Sequence, residues 1–259
     1  MKTFIIISLL LYTSLSFMSC NPKDDGTPTS SDIQFSLDPQ INKYYNFQSW
    51  ILDSLDQKKE GPYFYYDKNV SKNLSIGGKN DAFLTLTYNS QFDIDSAYLR
   101  VENGKDVYEW ADTSQIFFES AAGGMRNILT KITQSEVWVA RVILSKGNGA
   151  EYVLLPKRFY PVQVSPDLTL NVSFEMIGKN EGFEDVTVPA GKFKAYKVKI
   201  LVKAEAYLGT QVVDKINFIQ YIWINDEIDW FVKQYLPTVK SSMMGVIEPG
   251  VIKELVSIQ

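Results

Sequence analysis

Beyond Ile33 the chain is organised by alternation of apolar and polar side chains. In "DLTLNVSFEM" Leu168, Leu170, Val172, Phe174 and Met176 oppose Thr169, Asn171, Ser173 and Glu175, the two-residue period of a strand with one dry face. "AFLTLTYN" repeats the pattern, with Leu84, Leu86 and Tyr88 as the predicted dry side against Thr85 and Thr87. "VWVARVIL", Val137 to Leu144, is apolar on both faces and predicts a central strand. Turn signals separate these runs: Asn103-Gly104 lies between "YLRVE" and "KDVYEW", and "KGNG", Lys146 to Gly149, divides "VARVILS" from "EYVLLP". Short strands joined in this way predict one antiparallel meander with little helix.

Two segments are ambiguous. "NFQSWILDSLDQKK" could form a helix with Phe47, Trp50, Ile51 and Leu55 roughly on one side, and reads nearly as well as a strand through Trp50. "SQIFFESAAGGMRNILTKI" contains Gly123-Gly124, which would break a helix.

The stretch "VTVPAGKFKAYKVKI", Val186 to Ile200, predicts a hairpin corner. Pro189 suits the second position of a type I turn, and Gly191 can take the left-handed conformation that closes a three-residue loop with a bulge. Beyond it the apolar phase inverts, from Phe193 and Ala195 to Tyr196, Val198 and Ile200, which predicts a β-bulge at Ala195-Tyr196. The intervening lysines form a solvated face, so Pro189 and Gly191 are structural residues.

Charge and residue usage narrow the chemistry. The formal net charge is −4, or −5 without the leader that carries Lys2, and no Lys/Arg cluster tracks a phosphate backbone, so no nucleic-acid partner is expected. The chain has no histidine, which removes Ser/His/Asp and Cys/His catalysis and the His-containing zinc sites. Its one cysteine, Cys20, excludes internal disulfides and thiolate metal cages. Carboxylate groups such as Asp93 with Asp95, or Asp226, Glu227 and Asp229, could in principle act as acid and base or hold calcium, but spacing this local fits ordinary solvated charges. We expect no enzyme, no cofactor and no metal.

The N-terminus reads as an export signal. Lys2 precedes an apolar run from Phe4 to Leu11 that is too short to span about 30 Å of hydrocarbon, so residues 1–19 form a cleaved leader. "SFMSC", Ser16 to Cys20, resembles the lipobox of bacterial lipoproteins, which implies that Cys20 is acylated and becomes the new N-terminus. Phe17 and Met18 depart from the usual residues of that box; looser boxes are common in the Bacteroidota. Residues 20–32, including "NPKDDGTPTSSD", form a polar tether. Within it Lys23-Asp24-Asp25 resembles the acidic signal that sends Bacteroidota lipoproteins to the outer face of the outer membrane. The expected membrane attachment is through acyl chains, each buried methylene contributing about 0.8 kcal/mol. Residues 33–259 then form one β-rich domain.

"DVTVPAGKFKAYKVKI" followed by "YIWINDEIDWFVKQY" resembles the C-terminal half of DUF3108-like or TapB-like exported proteins. Val188, Pro189, Ala190, Gly191 and Phe193 carry the first part of the motif, Tyr221 and Trp223 the second, and Val232 and Lys233 the third, within a stretch from Val153 to Gln259. The glycine turn usual in that family is replaced by Asp226 to Trp230. The resemblance implies a single, strongly curled antiparallel sheet, an open half-barrel like those of periplasmic lipoprotein carriers, able to hold an acyl chain. The expected function is a non-enzymatic binding module for a lipid or other apolar ligand, lined by Tyr196, Phe218, Tyr221 and Trp223. The alternative is a structural or interaction lipoprotein that contacts envelope proteins or glycans, with the aromatics of "GPYFYYD", Gly61 to Asp67, as the candidate sugar-stacking residues.

Overall fold

A computed structural model of the chain describes residues 35–89, 94–112, 136–165, 167–242 and 245–259. The strands are β1 (Tyr44–Leu52), β2 (Lys58–Ile76), β3 (Lys79–Asn89), β4 (Ile94–Glu102), β5 (Asp106–Asp112), β6 (Glu136–Ile143) and β7 (Glu151–Ser165). They continue as β8 (Leu168–Val188), β9 (Gly191–Leu208), β10 (Gln211–Asn225), β11 (Trp230–Leu236), β12 (Val239–Ser241), β13 (Gly245–Glu248) and β14 (Val251–Ile258). Among the described residues the sole helical element is a 3-10 turn, Leu144–Lys146, so the expectation of a curled antiparallel sheet with little helix holds.

Twelve strands make one sheet in the order β6-β5-β4-β3-β2-β1-β14-β11-β10-β9-β8-β7, and β12 with β13 forms a separate hairpin. Each half is a meander, and β14 returns to pair with both β1 and β11. The edges of this order, β6 and β7, are consecutive in the chain and joined by the 3-10 turn, so the twisted sheet curls until its edges meet and nearly closes a barrel. "VWVARVIL" is therefore an edge strand rather than a central one. Val139, Ala140 and Val142 are nevertheless buried, because the near-closure covers what an open edge would expose.

The seam is held by side chains instead of a ladder. Asn180 on β8 is fully buried; its amide donates to the carbonyls of Ile143 (2.9 Å) and Gly147 (3.1 Å) and accepts from the Tyr152 hydroxyl (2.9 Å). Its backbone also bonds Ala150 and Gly149, and Asp106 accepts from both the amide and the hydroxyl of Ser145. The Ile143 and Gly147 carbonyls, the Tyr152 hydroxyl and the Ser145 hydroxyl thus each find a partner at the seam.

Residues 35–40 cross one end of the barrel as a strap. Phe35, Leu37 and Pro39 point in and are buried while Ser36, Asp38 and Gln40 are exposed. Phe35 packs on Phe183 and Tyr196, the Leu37 amide donates to the Gly104 carbonyl (2.7 Å), and the Asp38 amide donates to Asp229 (2.8 Å).

The interior is asymmetric. Along β9 and β10 the inward residues are mostly apolar, with Tyr196, Val198 and Val202 opposite Ile224, Ile222 and Phe218, and Gln220 opposite Ile200 as the polar exception. Along β2 and β3 they are polar: Thr85 bonds Asn69 (2.8 Å) and Thr87 bonds Asp67 (2.7 Å). The expected dry face of "AFLTLTYN" is thus reversed, Leu84, Leu86 and Tyr88 lying half-buried on the other side.

The hairpin at Pro189 forms, but with two loop residues: Val188 pairs with Gly191, and Pro189 and Ala190 make the turn. Gly191 has φ +138°, a conformation that favours glycine. The phase inversion on β9 has another cause than the expected bulge there. Ala195 and Tyr196 are consecutive and both buried, because Ala195 packs into a second apolar cluster with Val186, Val188, Trp223 and Leu255 while Tyr196 faces the lumen. The register shift lies across the ladder on β8, between Asn180 and Gly182. The ambiguous segment through Trp50 is a strand, ended where Asp53 accepts from the amides of Leu55 and Gln57. "SQIFFESAAGGMRNILTKI" lies outside the described residues.

Candidate functional site

Between the polar and apolar walls lies a half-open cavity of about 160 Å³. Val101, Val107 and Val142 line it near the strap, with Leu37 and Pro39 over them; Ile222 and Ile224 of β10 and Phe231 of β11 close the apolar side. Asp67, Thr85, Thr87, Asp95, Glu109 and Arg141 form the polar side, and Gln234 and Lys253 stand between the two. The period of two puts these residues inward: Gln234 pairs with Lys253 across β11 and β14 and with Ile222 across β10 and β11.

Most of the polar wall is committed to the fold. Asp67 accepts from the Thr87 hydroxyl and, at 3.1 Å, from the Trp230 indole. Glu109 is paired with the Arg141 guanidinium at 2.5 Å. Asp229 accepts from the Asp38 amide, and burial pushes its carboxyl above the ordinary aspartate range despite that bond. A buried carboxylate unpartnered would cost several kcal/mol, so these pairings are conditions for having a polar cavity at all. Phe47, at 5.2 Å from Tyr65 and 4.6 Å from Phe231 between ring centroids, braces the aromatic part of the wall.

The predicted ligand residues do not form one lining. Tyr196 and Phe218 share the inward face, where Tyr196 is 1% exposed and burial pushes its hydroxyl up to about 12. Tyr221 and Trp223 occupy odd positions of β10 and face the opposite way: the Trp223 indole donates to Glu184, and the ammonium groups of Lys197 and Lys233 lie 5.5 and 5.2 Å from its ring centroid. None of these four residues lines the cavity. Of the carboxylates singled out in the sequence, Asp95 and Asp229 line it, Asp226 and Glu227 do not, and Asp93 lies outside the described residues. No three acidic side chains among the described residues come together as a metal-holding group. Cys20, Lys23, Asp24 and Asp25 also lie outside the described residues. In "GPYFYYD", Tyr63 and Phe64 are 47% and 54% exposed, whereas Tyr65 and Asp67 turn into the lumen. Arg141, Gln234 and Lys253 were missed; the only signal was a charged or amide residue interrupting an apolar strand.

This geometry defines a nearly closed antiparallel barrel with a small amphipathic cavity under an N-terminal strap. No protein-family model and no curated protein matches the chain, so the resemblance seen in the V-P-A-G-x-F segment gains no support from that side. Among solved structures, a candidate lipoprotein of Parabacteroides distasonis aligns at TM-score 0.47 and 9% identity over 88% of this chain and 100% of its own. A candidate exported protein with YmcC-like fold from Bacteroides fragilis aligns at TM-score 0.43 and 10% identity over 87% and 99%. The hypothetical lipoprotein YmcC of Escherichia coli aligns at TM-score 0.33 and 10% identity over 90% of each chain. At such identities the likeness carries no function.

Proposed function

We propose that the protein is an exported lipoprotein, anchored at the outer membrane through Cys20, whose barrel is a non-enzymatic binding module for a small ligand. The observation that supports binding is the cavity itself, apolar on one wall and polar on the other. Its size revises the ligand. A volume of about 160 Å³ is close to the roughly 150 Å³ that holds one benzene ring, and below the ~300–1,000 Å³ of drug-sized sites. A long acyl chain, with more than twice the carbons of that ring, is not enclosed by it, so we take the ligand to be a small amphiphile. Binding is favoured over catalysis because Asp67, Glu109 and Asp229 are each occupied by a structural donor. The leader, the lipobox-like "SFMSC" and the acidic tether support the anchor and the surface location.

Two measurements test this reading. Native mass spectrometry of the purified protein, with organic extraction of whatever copurifies, should find a ligand of about one ring's size; a bound phospholipid would contradict the volume. Labelling of cells with an alkynyl fatty acid should mark the protein and lose the mark in Cys20→Ser, and unchanged labelling would remove the anchor from the proposal.

A further inference from the structure

Resting on the binding reading above, we infer that the ligand carries an anionic group, a carboxylate, and that Lys253 and Gln234 hold it. Of the other charged groups lining the cavity, all but Asp95 already have a partner. Asp67 is held by Thr87 and Trp230, Glu109 by Arg141, and Asp229 by the Asp38 amide. Asp95 is exposed to solvent at its edge. Of the two cations on the wall, Arg141 is paired and Lys253 is not: its ammonium group lies 5.0 Å from the centroid of the Tyr65 ring, and no carboxylate pairs with it among the described residues. Gln234, its cross-strand neighbour, likewise has no hydrogen-bond partner there, so an ammonium group and a carboxamide stand side by side with donors unused.

Their position sets the rest of the ligand. Gln234 also pairs with Ile222, whose side chain begins the apolar wall that runs to Val107 and Leu37. A molecule with its carboxylate at Lys253 would lay a single ring or short branched chain along that wall, which the volume permits. A half-buried ammonium group next to apolar surface strengthens a charge-assisted bond. Arg141 offsets Glu109, whereas Asp67 and Asp229 accept from neutral donors and keep their charge, so the Lys253 ammonium has to outweigh their repulsion of the ligand's carboxylate.

Isothermal titration calorimetry of the purified protein with benzoate, benzylamine and benzyl alcohol separates the alternatives, while methyl NMR of Ile222 places the probe. Benzoate should bind and shift Ile222. Lys253→Met, which keeps the stem over Tyr65, should weaken benzoate by about tenfold or more and leave benzyl alcohol unchanged. Tighter binding of benzylamine, or benzoate affinity that survives both Lys253→Met and Gln234→Leu, overturns the anion assignment while leaving the cavity as a site. If no probe binds and Ile222 does not move, the binding reading fails and the assignment fails with it. Melting of each variant by circular dichroism separates lost affinity from lost fold.

Discussion

Asn180→Ala is the sharpest test of how the barrel closes. The substitution removes a side chain that is 0% exposed and joins β8 to the connection between β6 and β7. It leaves the Ile143 and Gly147 carbonyls and the Tyr152 hydroxyl without that amide, although Tyr152 keeps the bond it accepts from the Ile143 amide at 3.3 Å. Each buried polar group left unpaired costs about 1–3 kcal/mol, so three together come to at least about 3 kcal/mol, before any water occupying the vacated space offsets part of it. For a domain of this size about 3 kcal/mol corresponds to a fall in Tm of roughly 6–12 °C. Asn69→Ala serves as an internal comparison, since its amide accepts one short bond from Thr85 and donates only a long one of 3.4 Å to Gln40. Thermal melting followed by circular dichroism, with urea unfolding to check that the m-value is unchanged, measures both. A fall below about 2 °C for Asn180→Ala, or a larger fall for Asn69→Ala, would refute the seam as a source of stability.

Other expectations follow from single features. Gly191→Val should cost roughly 1–2 kcal/mol from backbone strain alone, because φ is +138° while nothing stands within 4 Å of the added Cβ; Pro189→Ala should cost less than about 1 kcal/mol, and an unchanged Tm for Gly191→Val would contradict the turn. Glu205 accepts from Tyr207 and from Lys157 and is paired with Lys215, which lowers its carboxyl to about 2. A depressed carboxyl contributes stability that is present above its unfolded value and lost as pH falls through its folded one. Glu205→Gln should therefore flatten the stability profile between about pH 4.5 and 2, and identical acid-unfolding curves would count against the network. In a Cys20→Ser background, Ser36→Cys with Gly104→Cys should form a disulfide that pins the strap, since a Cβ at Gly104 would lie 3.7 Å from that of Ser36. Oxidation should raise stability by about 2–4 kcal/mol and slow uptake of a cavity probe, and uptake equally fast in both redox states would show that the strap is not the way in.

The strand period was legible in the sequence almost everywhere, because alternation is a local property of a half-buried strand. Which face is inside was not. In "AFLTLTYN" hydrophobicity points to Leu84 and Leu86 as the core side, yet Thr85 is 4% exposed and faces the lumen. Thr85 and Thr87 can go inside there only because Asn69 and Asp67, respectively, sit opposite them on β2, and that pairing depends on a register which a single strand does not reveal. Aromatic residues misled in the same manner. Tyr196 and Trp223 are both buried and lie on neighbouring strands, but the register aligns Tyr196 with Ile224 and Trp223 with Lys197, which puts them on opposite faces.

These reversals have one physical origin, and it bears on the site. A sheet that curls until its edges meet has to fill a lumen, and this chain fills one half with apolar side chains and the other with a hydrogen-bonded polar set. Polar groups buried in that way must be matched to one another to avoid a cost of several kcal/mol. Where the matching is complete, as at Thr85 with Asn69 and Glu109 with Arg141, the side chains are scaffold. Where it stops, at Lys253 and Gln234 on the border between the two walls, the fold gains from the charge only its contact with the Tyr65 ring. An aliphatic residue at Lys253 would continue the surface of Ile222 and Phe231 and bury more apolar area in place of that contact. Lys253→Leu should accordingly be neutral or stabilising in thermal melting. A loss of more than about 2 °C would instead make Lys253 part of the scaffold, its ammonium needed over the Tyr65 ring.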